Sequence, residues 1–584
     1  MALTQAASVA SAQEDASKPA PPGTPPVFGS APGAGPQVTA VTLAEAQKLV
    51  QVAMSARERR QAARSWRSNL GPLYERRVGP HKVTLDADLV PGSQWLPFGH
   101  GHPGTDRFIR TTTDPGALPG SEADIALAPV WKLSRWIERR ELSSERLTRI
   151  YLDRLARFDA RLRCVITATP DLALQQARAA DQEIGAGKYR GPLHGIPWGA
   201  KDLLDTAGIH TTYGAEPFRN RVPQHDAVVV SRLHAAGAVL LAKLSLGALA
   251  LNDVWFGGQT MNPWLLEEGS GGSSAGPGAA TAAGLVGFAI GSETEGSIIG
   301  PSMRCGVTGL RPTFGRVPRT GAMTLCWSLD KLGPMTRAVE DTMLVLQAIS
   351  GPDAGDLASV PGALEFDAAA DVRGLRVGYF PRWMQAPDAN DVERGALHKL
   401  GELGLLPVEV SLPEWPYDCL NAILFAEAAA AFEELILSRQ ADELKMQTDD
   451  AWPNIFRQAR FISAVDFVQA DRLRRRVLQE MTRVLAEVDL LLVPSLRDEM
   501  MTIGNFTGFP SLTLRVGFVE VSETRSDWAS APGDPLTRKL NPPRRVPHGI
   551  TLIGRAFGEG TLARVGLALE RALQVAQLAP PGFE

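Results

Sequence analysis

The sequence predicts an α/β protein with an N-terminal helical appendage, and three observations predict it. Its 584 residues are enough for a large buried core. From Trp131 onward, apolar residues at helical spacing alternate with short, continuous apolar runs. Residues 42–77 are long-chain helix formers, set apart by Pro- and Gly-rich stretches on both sides.

Residues 1–38 read as a flexible lead-in, because from residue 13 they are mostly Pro, Gly, Ala and Ser and carry too little apolar area to order themselves. Ala10-Ser11-Ala12 before Gln13 has the small-residue end of a secretory signal peptide, which would mean an exported protein; it also fits a disordered tail, and both readings stay open. Residues 39–122 form the appendage: one or two amphipathic helices over 42–77, with the basic run 57–67 in solvent, then an extended arm. The main domain is assigned to 123–584. In it Ser143 or Ser144 caps a helix carrying Leu147, Ile150, Tyr151 and Leu155. Asp226 caps the next through Val229 and Leu233, Gly237 ends it, and residues 238–242 return as a buried strand. Helix, glycine, apolar strand is the grammar of a layered sheet. Helix formers dominate 365–490, FAEAAAAFEELILSRQ among them, and are expected to cover one side of that sheet.

Charge and composition exclude several function classes. Lys and Arg total 60 against 64 Asp and Glu, a net charge of -4, which gives no electrostatic case for nucleic acid or an acidic membrane surface. No stretch approaches the roughly 20 apolar residues of a membrane span. Cys164, Cys305, Cys326 and Cys419 form no CxxC pair, which argues against a zinc ribbon or a thioredoxin-like site and leaves a disulfide open. No HExxH occurs, and His100 and His102 in FGHGHPG have no carboxylate partner nearby, so they read as loop residues and no metal site is expected. The glycine-rich loop lacks the Lys-Ser/Thr end of a phosphate-binding loop.

Chemistry is concentrated in residues 268–312. Ser273 and Ser274 stand in a glycine-rich loop before a small-residue helix, residues 285–290 form a strand, and 291–297 make a second loop ending at Ser297. Gly291 and Gly296 allow backbone conformations in which successive N–H groups converge on one anionic oxygen, and a helix starting near Ser297 would add its dipole. A serine nucleophile needs a base, and no histidine lies near either loop. Lys201, at the end of an apolar segment, can act as one if burial lowers its pKa by roughly 3 units or more.

GIPWGAKD (195–202), GGSSAGPGAATAAGLVGFAIGSETEGSIIGP (271–301) and GVTGLRPTFGRVP (306–318) resemble the successive blocks of the amidase-signature family. Similarity to later family elements in LDKLGPMTRAVEDTMLVL, VDLLLVPS, NFTGFPSLTL and PHGITLIGRAF extends it over about 125–575. The resemblance implies a large mixed central sheet with helices on both faces and a Ser-Ser-Lys triad. Lys201 would be the base, Ser273, held by a cis peptide, the relay, and Ser297 the nucleophile, 24 residues beyond Ser273 as in the family. Backbone N–H groups of Thr294, Glu295, Gly296 and Ser297 would form the oxyanion hole. It implies no cofactor, a small-molecule amide as substrate, esters and carbamates alongside, and allows a homodimer. Where the family most often has Gly-Gly-Ser-Ile-Arg, this chain has Glu295-Gly296-Ser297-Ile298-Ile299. The Glu295 carboxylate is therefore expected to point away from the oxyanion or to meet a basic substrate group.

Competing readings are weaker. Ser273 and Ser274 could serve only as helix caps. Residues 272–276 fit a nucleophile elbow with Ser274 as nucleophile and His398 or His548 as partner, but no apolar strand precedes them. Lys243, the other strand-end lysine, reads as structural. Two further functions share the signature's scaffold: an amidotransferase A-type subunit working with a partner chain, and a non-catalytic binding protein.

Overall fold

Eleven strands pair into one mixed sheet among the residues described by a computed structural model, namely 21–29, 31–78, 81–86, 89, 92, 106–497, 499–528 and 537–584. In chain order they are β1 Val165–Ala168, β2 Pro197–Lys201, β3 Val239–Leu244, β4 Phe288–Glu293, β5 Thr308–Arg311, β6 Lys331–Thr336, β7 Arg376–Tyr379, β8 Leu406–Glu409, β9 Leu490–Pro494, β10 Ser511–Glu523 and β11 Lys539–Gly554. Their order across the sheet is β8-β7-β9-β11-β10-β5-β6-β4-β2-β3-β1. β2, β3, β4, β6 and β9 are buried along their whole length, which is why they read as continuous apolar runs without alternation.

Helices lie on both faces. On β10, Leu512 meets Gly566 of the Glu559–Leu573 helix, whereas Gly549 of β11, paired with Arg515, faces Met303 of the Ile299–Cys305 helix. Residues 512 and 515 differ by an odd number, so these two helices cover opposite sides. The Ala275–Ala282 helix lies beside Ile299–Cys305 and is built of small residues that let its backbone come close to neighbouring chain. At Gly276 a Cβ would stand 2.5 Å from both the Cys164 carbonyl and the Ser245 nitrogen.

Most local expectations hold, the cap at Ser143 among them, with three corrections. Ser143 caps the Ser144–Leu162 helix through Arg146 N, and Ser144 instead donates to the buried Gly195 carbonyl at 2.8 Å, fastening the turn before β2. Asp226 caps nothing: it accepts from Ala207 N at 2.7 Å, and the Val228–Ala235 helix starts without a side-chain cap. The strand placed at 285–290 is β4, displaced toward Glu293, because Gly284 at φ 63° ends the preceding helical turn and residues 285–287 complete the bend. Segment 365–490 is mostly helical, as expected, but also supplies β7 and β8; the short apolar run of β8 is interrupted by Pro407 and none of its residues is fully buried.

The appendage has three helices, Ala40–Val50, Ala56–Asn69 and Gly71–Val78. Arg57, Arg60 and Arg64 face solvent. The opposite side packs on the Trp452–Ala459 helix through buried amides: Asn69 donates to Gln458 at 2.6 Å, and Gln458 to the Ala62 carbonyl at 2.7 Å. All four cysteines are buried and unbridged. Among the described residues no helix is long and apolar enough to cross a membrane, and no group of three or more His, Cys, Asp or Glu is placed to hold a metal. His100 and His102 lie outside the described residues.

Candidate active site

β2 runs parallel to both β3 and β4, so Lys201 and Glu293 finish at the same edge of the sheet, the carboxyl end where open α/β sheets hold their sites. The Lys201 amine, fully buried, lies 2.9 Å from Ser273 Oγ, 3.0 Å from Ser274 Oγ and 2.8 Å from Ser292 Oγ. Burial holds its pKa well below the usual lysine value, and Asp330 and Glu293 oppose that only at a distance. Lys243 differs in one respect. Its amine has a carboxylate of its own, Asp202, at 3.0 Å, and that pair is fully buried. Asp202 also accepts from Thr212 N and Thr212 Oγ1 at 2.8 and 2.5 Å. One lysine therefore keeps its counter-ion and the other is left with hydroxyls. Asp202→Ala would strand the Lys243 charge in the core; we expect a loss of about 3–5 kcal/mol in stability, read by chemical denaturation.

The two serine loops meet beside this amine. The Gly272–Ser273 peptide is cis, as the resemblance implies. Ser274 N donates to the Ser297 carbonyl at 3.1 Å, which ties the loops together, and Gly272 N donates to Asp527 at 3.0 Å. Ser297 is 9% exposed and, with Thr294, Glu295 and Gly296, borders a cavity of about 410 Å³. Gly296 has φ 86°, and a Cβ there would meet Met501 Sδ at 2.5 Å, so only glycine passes this corner.

Two carboxylates shape the second loop. Glu293 accepts from Ile298 N and Ile299 N at 2.7 and 2.9 Å and from Arg311 at 2.8 Å, and it is fully buried with that arginine. It thus satisfies the orphan donors at the start of the Ile299–Cys305 helix, which begins two residues beyond Ser297. Asp330 accepts from Thr294 Oγ1 at 2.6 Å and from the backbone of Leu325 and Cys326. Neither was singled out in the sequence. A charged residue inside the apolar strand FAIGSE was the available signal, since a buried carboxylate requires partners.

Glu295 turns toward the Met500–Thr507 helix, accepting from Thr502 Oγ1 at 2.7 Å; with the Asn421 amide nitrogen facing it, further bonds form at 3.0 and 3.2 Å. Burial, reinforced by Asp418, raises its carboxyl to about 7. Ile299, where the family pattern has arginine, joins an apolar cluster with Met303 and Leu496. His548 bonds to Glu393 at 3.1 Å and His398 pairs with Glu402 on the surface, so neither attends Ser274, whose hydroxyl donates to the Ser292 carbonyl at 3.1 Å.

Residues 146–563 match the family described as Amidase. The chain belongs to the amidase-signature family. It is 34% identical over 476 residues to the A-type subunit of the glutamyl-tRNA(Gln) amidotransferase of Moorella thermoacetica, covering 76% of this chain and 96% of that one. The corresponding chain of Roseiflexus castenholzii is 35% identical over 481 residues, with the same two shares. Among solved structures, native peptide amidase from Stenotrophomonas maltophilia superposes with a TM-score of 0.66 at 29% identity, over 78% of this chain and 99% of that one. This amidase-signature protein is therefore an enzyme of a family that hydrolyses or transfers amide groups, and the mixed sheet with its helices is the family's fold.

Proposed function

We propose that the chain is an amidase that hydrolyses a small-molecule amide through Ser297, with Ser273 as proton relay and Lys201 as base. The observation that carries this reading is the Lys201 amine, buried 2.9 Å from Ser273 Oγ without a carboxylate in contact. A neutral amine has one lone pair and two N–H groups. It can accept from Ser273 while donating to Ser274 and Ser292. Ser273, so deprotonated, draws the proton from Ser297, which attacks the carbonyl. Backbone N–H groups of residues 294–297 then stabilise the oxyanion, the amine leaves with the proton returned through Ser273, and water repeats the sequence on the acyl-enzyme. Glu293 and Asp330 act as positioning residues that hold the loop carrying those donors.

The cavity's charge narrows the substrate. Its described lining has carboxylates and no Lys, Arg or His. Asp527 is paired with Arg304 and Glu499 with Arg382, so the acidity a substrate meets is set by Glu295 and Asp418. An amide bearing its own carboxylate would meet repulsion there, on the order of 1–3 kcal/mol for charges several ångströms apart. This favours neutral or cationic amides. Hexanamide, 6-aminohexanamide and the monoamide of adipic acid differ mainly in terminal charge. We expect kcat/KM for the cation to exceed that for the anion by about tenfold or more. The cation's advantage grows from pH 6 to pH 8, as Glu295, at about 7, loses its proton and gains its charge. Equal rates for all three amides would overturn the charge assignment.

The relatives support a second reading, an amidotransferase A-type subunit that works with a partner chain. Under that reading the isolated chain turns over none of the three amides, and activity appears only when a co-purifying partner chain is restored.

A further inference from the structure

We propose that residues 25–29, anchored through residues 21–24, form one wall of the substrate cavity and that Phe28 sets the length of amide that fits. The inference rests on Ser297 being the reacting group, since it concerns the cavity that opens onto it. The composition of this stretch gives it no core of its own, and beyond a turn in which Thr24 bonds to the Pro21 carbonyl it is held by contacts from the rest of the chain. Two of its carbonyls are taken by buried arginines: Arg525 donates to Pro22 O at 3.3 Å and Arg304 to Gly23 O at 3.4 Å. Arg304 also donates to Asp527 at 2.8 Å, and Asp527 is the carboxylate that accepts from Gly272 N. The wall and the Ser273 loop thus hang from one ion pair. Gly23, at φ 78°, lies so close to Met303 that a Cβ would stand 2.2 Å from its methyl, which seats the segment against the Ile299–Cys305 helix.

Phe28 lines the cavity beside two aromatic side chains of the main domain. Its ring stands edge-on to Phe425 at 5.2 Å and 6.1 Å from Trp452, and all three border the same cavity as Ser297. Behind it the chain is held to the appendage, where Arg67 donates to Gly33 O at 2.8 Å and Ala34 N donates to Arg67 O at 3.2 Å. Three aromatic rings closing one end of a pocket limit length through shape, because an occupied volume excludes a longer chain whatever its polarity.

The test compares a short and a long neutral amide, propionamide and 6-phenylhexanamide, on full-length wild type, Phe28→Ala and Phe28→Trp. Removing the ring should raise the long-to-short ratio of kcat/KM by about tenfold, and the larger indole should lower it. Affinities of the same two amides for the Ser297→Ala background, measured by calorimetry in all three Phe28 forms, give the ratio without turnover. If the hydrolase reading fails, turnover is absent but the binding ratio still moves with residue 28. If Phe28 merely steadies the fold, both amides change together and the ratio stays within twofold in turnover and in binding, which overturns the proposal.

Discussion

Ser297→Ala is expected to lower kcat for amide hydrolysis by roughly 10⁴–10⁶-fold, the scale on which an enzyme loses its nucleophile while keeping its oxyanion donors. The fold should survive, because the Ser297 backbone carbonyl, not its hydroxyl, accepts the 3.1 Å bond from Ser274 N. KM should change little, since the substrate contacts of the cavity remain. A fluorophosphonate probe gives an orthogonal readout: wild type should be labelled at Ser297 and the variant should not. Wild-type turnover by the variant would end the assignment. An unlabelled, inactive wild type would point to a binding protein on the same scaffold.

Lys201→Met should reduce kcat by about 10³-fold, within the range for loss of a general base. Methionine fills most of the space of the lysine stem, so the loss reports the amine and not a collapsed core. The pH profile separates base from scaffold. In wild type only the unprotonated amine can accept a proton, so kcat/KM should rise with pH along one ionisation and then level. Because burial disfavours the ammonium, the midpoint falls well below 10.5. In Lys201→Met that limb should vanish and the residual rate should be flat with pH. An unchanged limb would assign it to another group. Lys331, also fully buried and lowered to about 7, is then the first to test by the same substitution.

How much of the site could be read beforehand differs residue by residue. Lys201, Ser273 and Ser297 announced themselves because each is embedded in glycines and small residues that serve no packing purpose by themselves. That they would converge was what the resemblance implied; the structure brings the amine and the first hydroxyl to 2.9 Å and ties the two serine loops together through Ser274 N and the Ser297 carbonyl. Ser292 and the loop-holding carboxylates were not legible in the same way, and Ser274, visible in its loop, was legible only as a cap or a rival nucleophile. Ser292 sits at the end of a strand whose reading stopped short at 290, and its role needed the extra residues of β4. Asp527, which holds Gly272 N, comes from 255 positions away, and no local pattern marks such a partner.

By itself the sequence determined the elements and the inventory of reactive groups: the alternation of helix, glycine and apolar strand, two serine loops, two lysines at the ends of apolar runs, and a charge balance without appeal to nucleic acid. Those properties are local, set by backbone freedom and side-chain polarity over a few neighbours. The tertiary structure alone decided that Lys243 has a carboxylate in contact and Lys201 has none, that the cavity is lined by carboxylates without a basic residue, and where residues 21–29 lie. All three depend on what distant segments place within a few ångströms, and in a desolvated interior that placement fixes whether a charge is kept or given up.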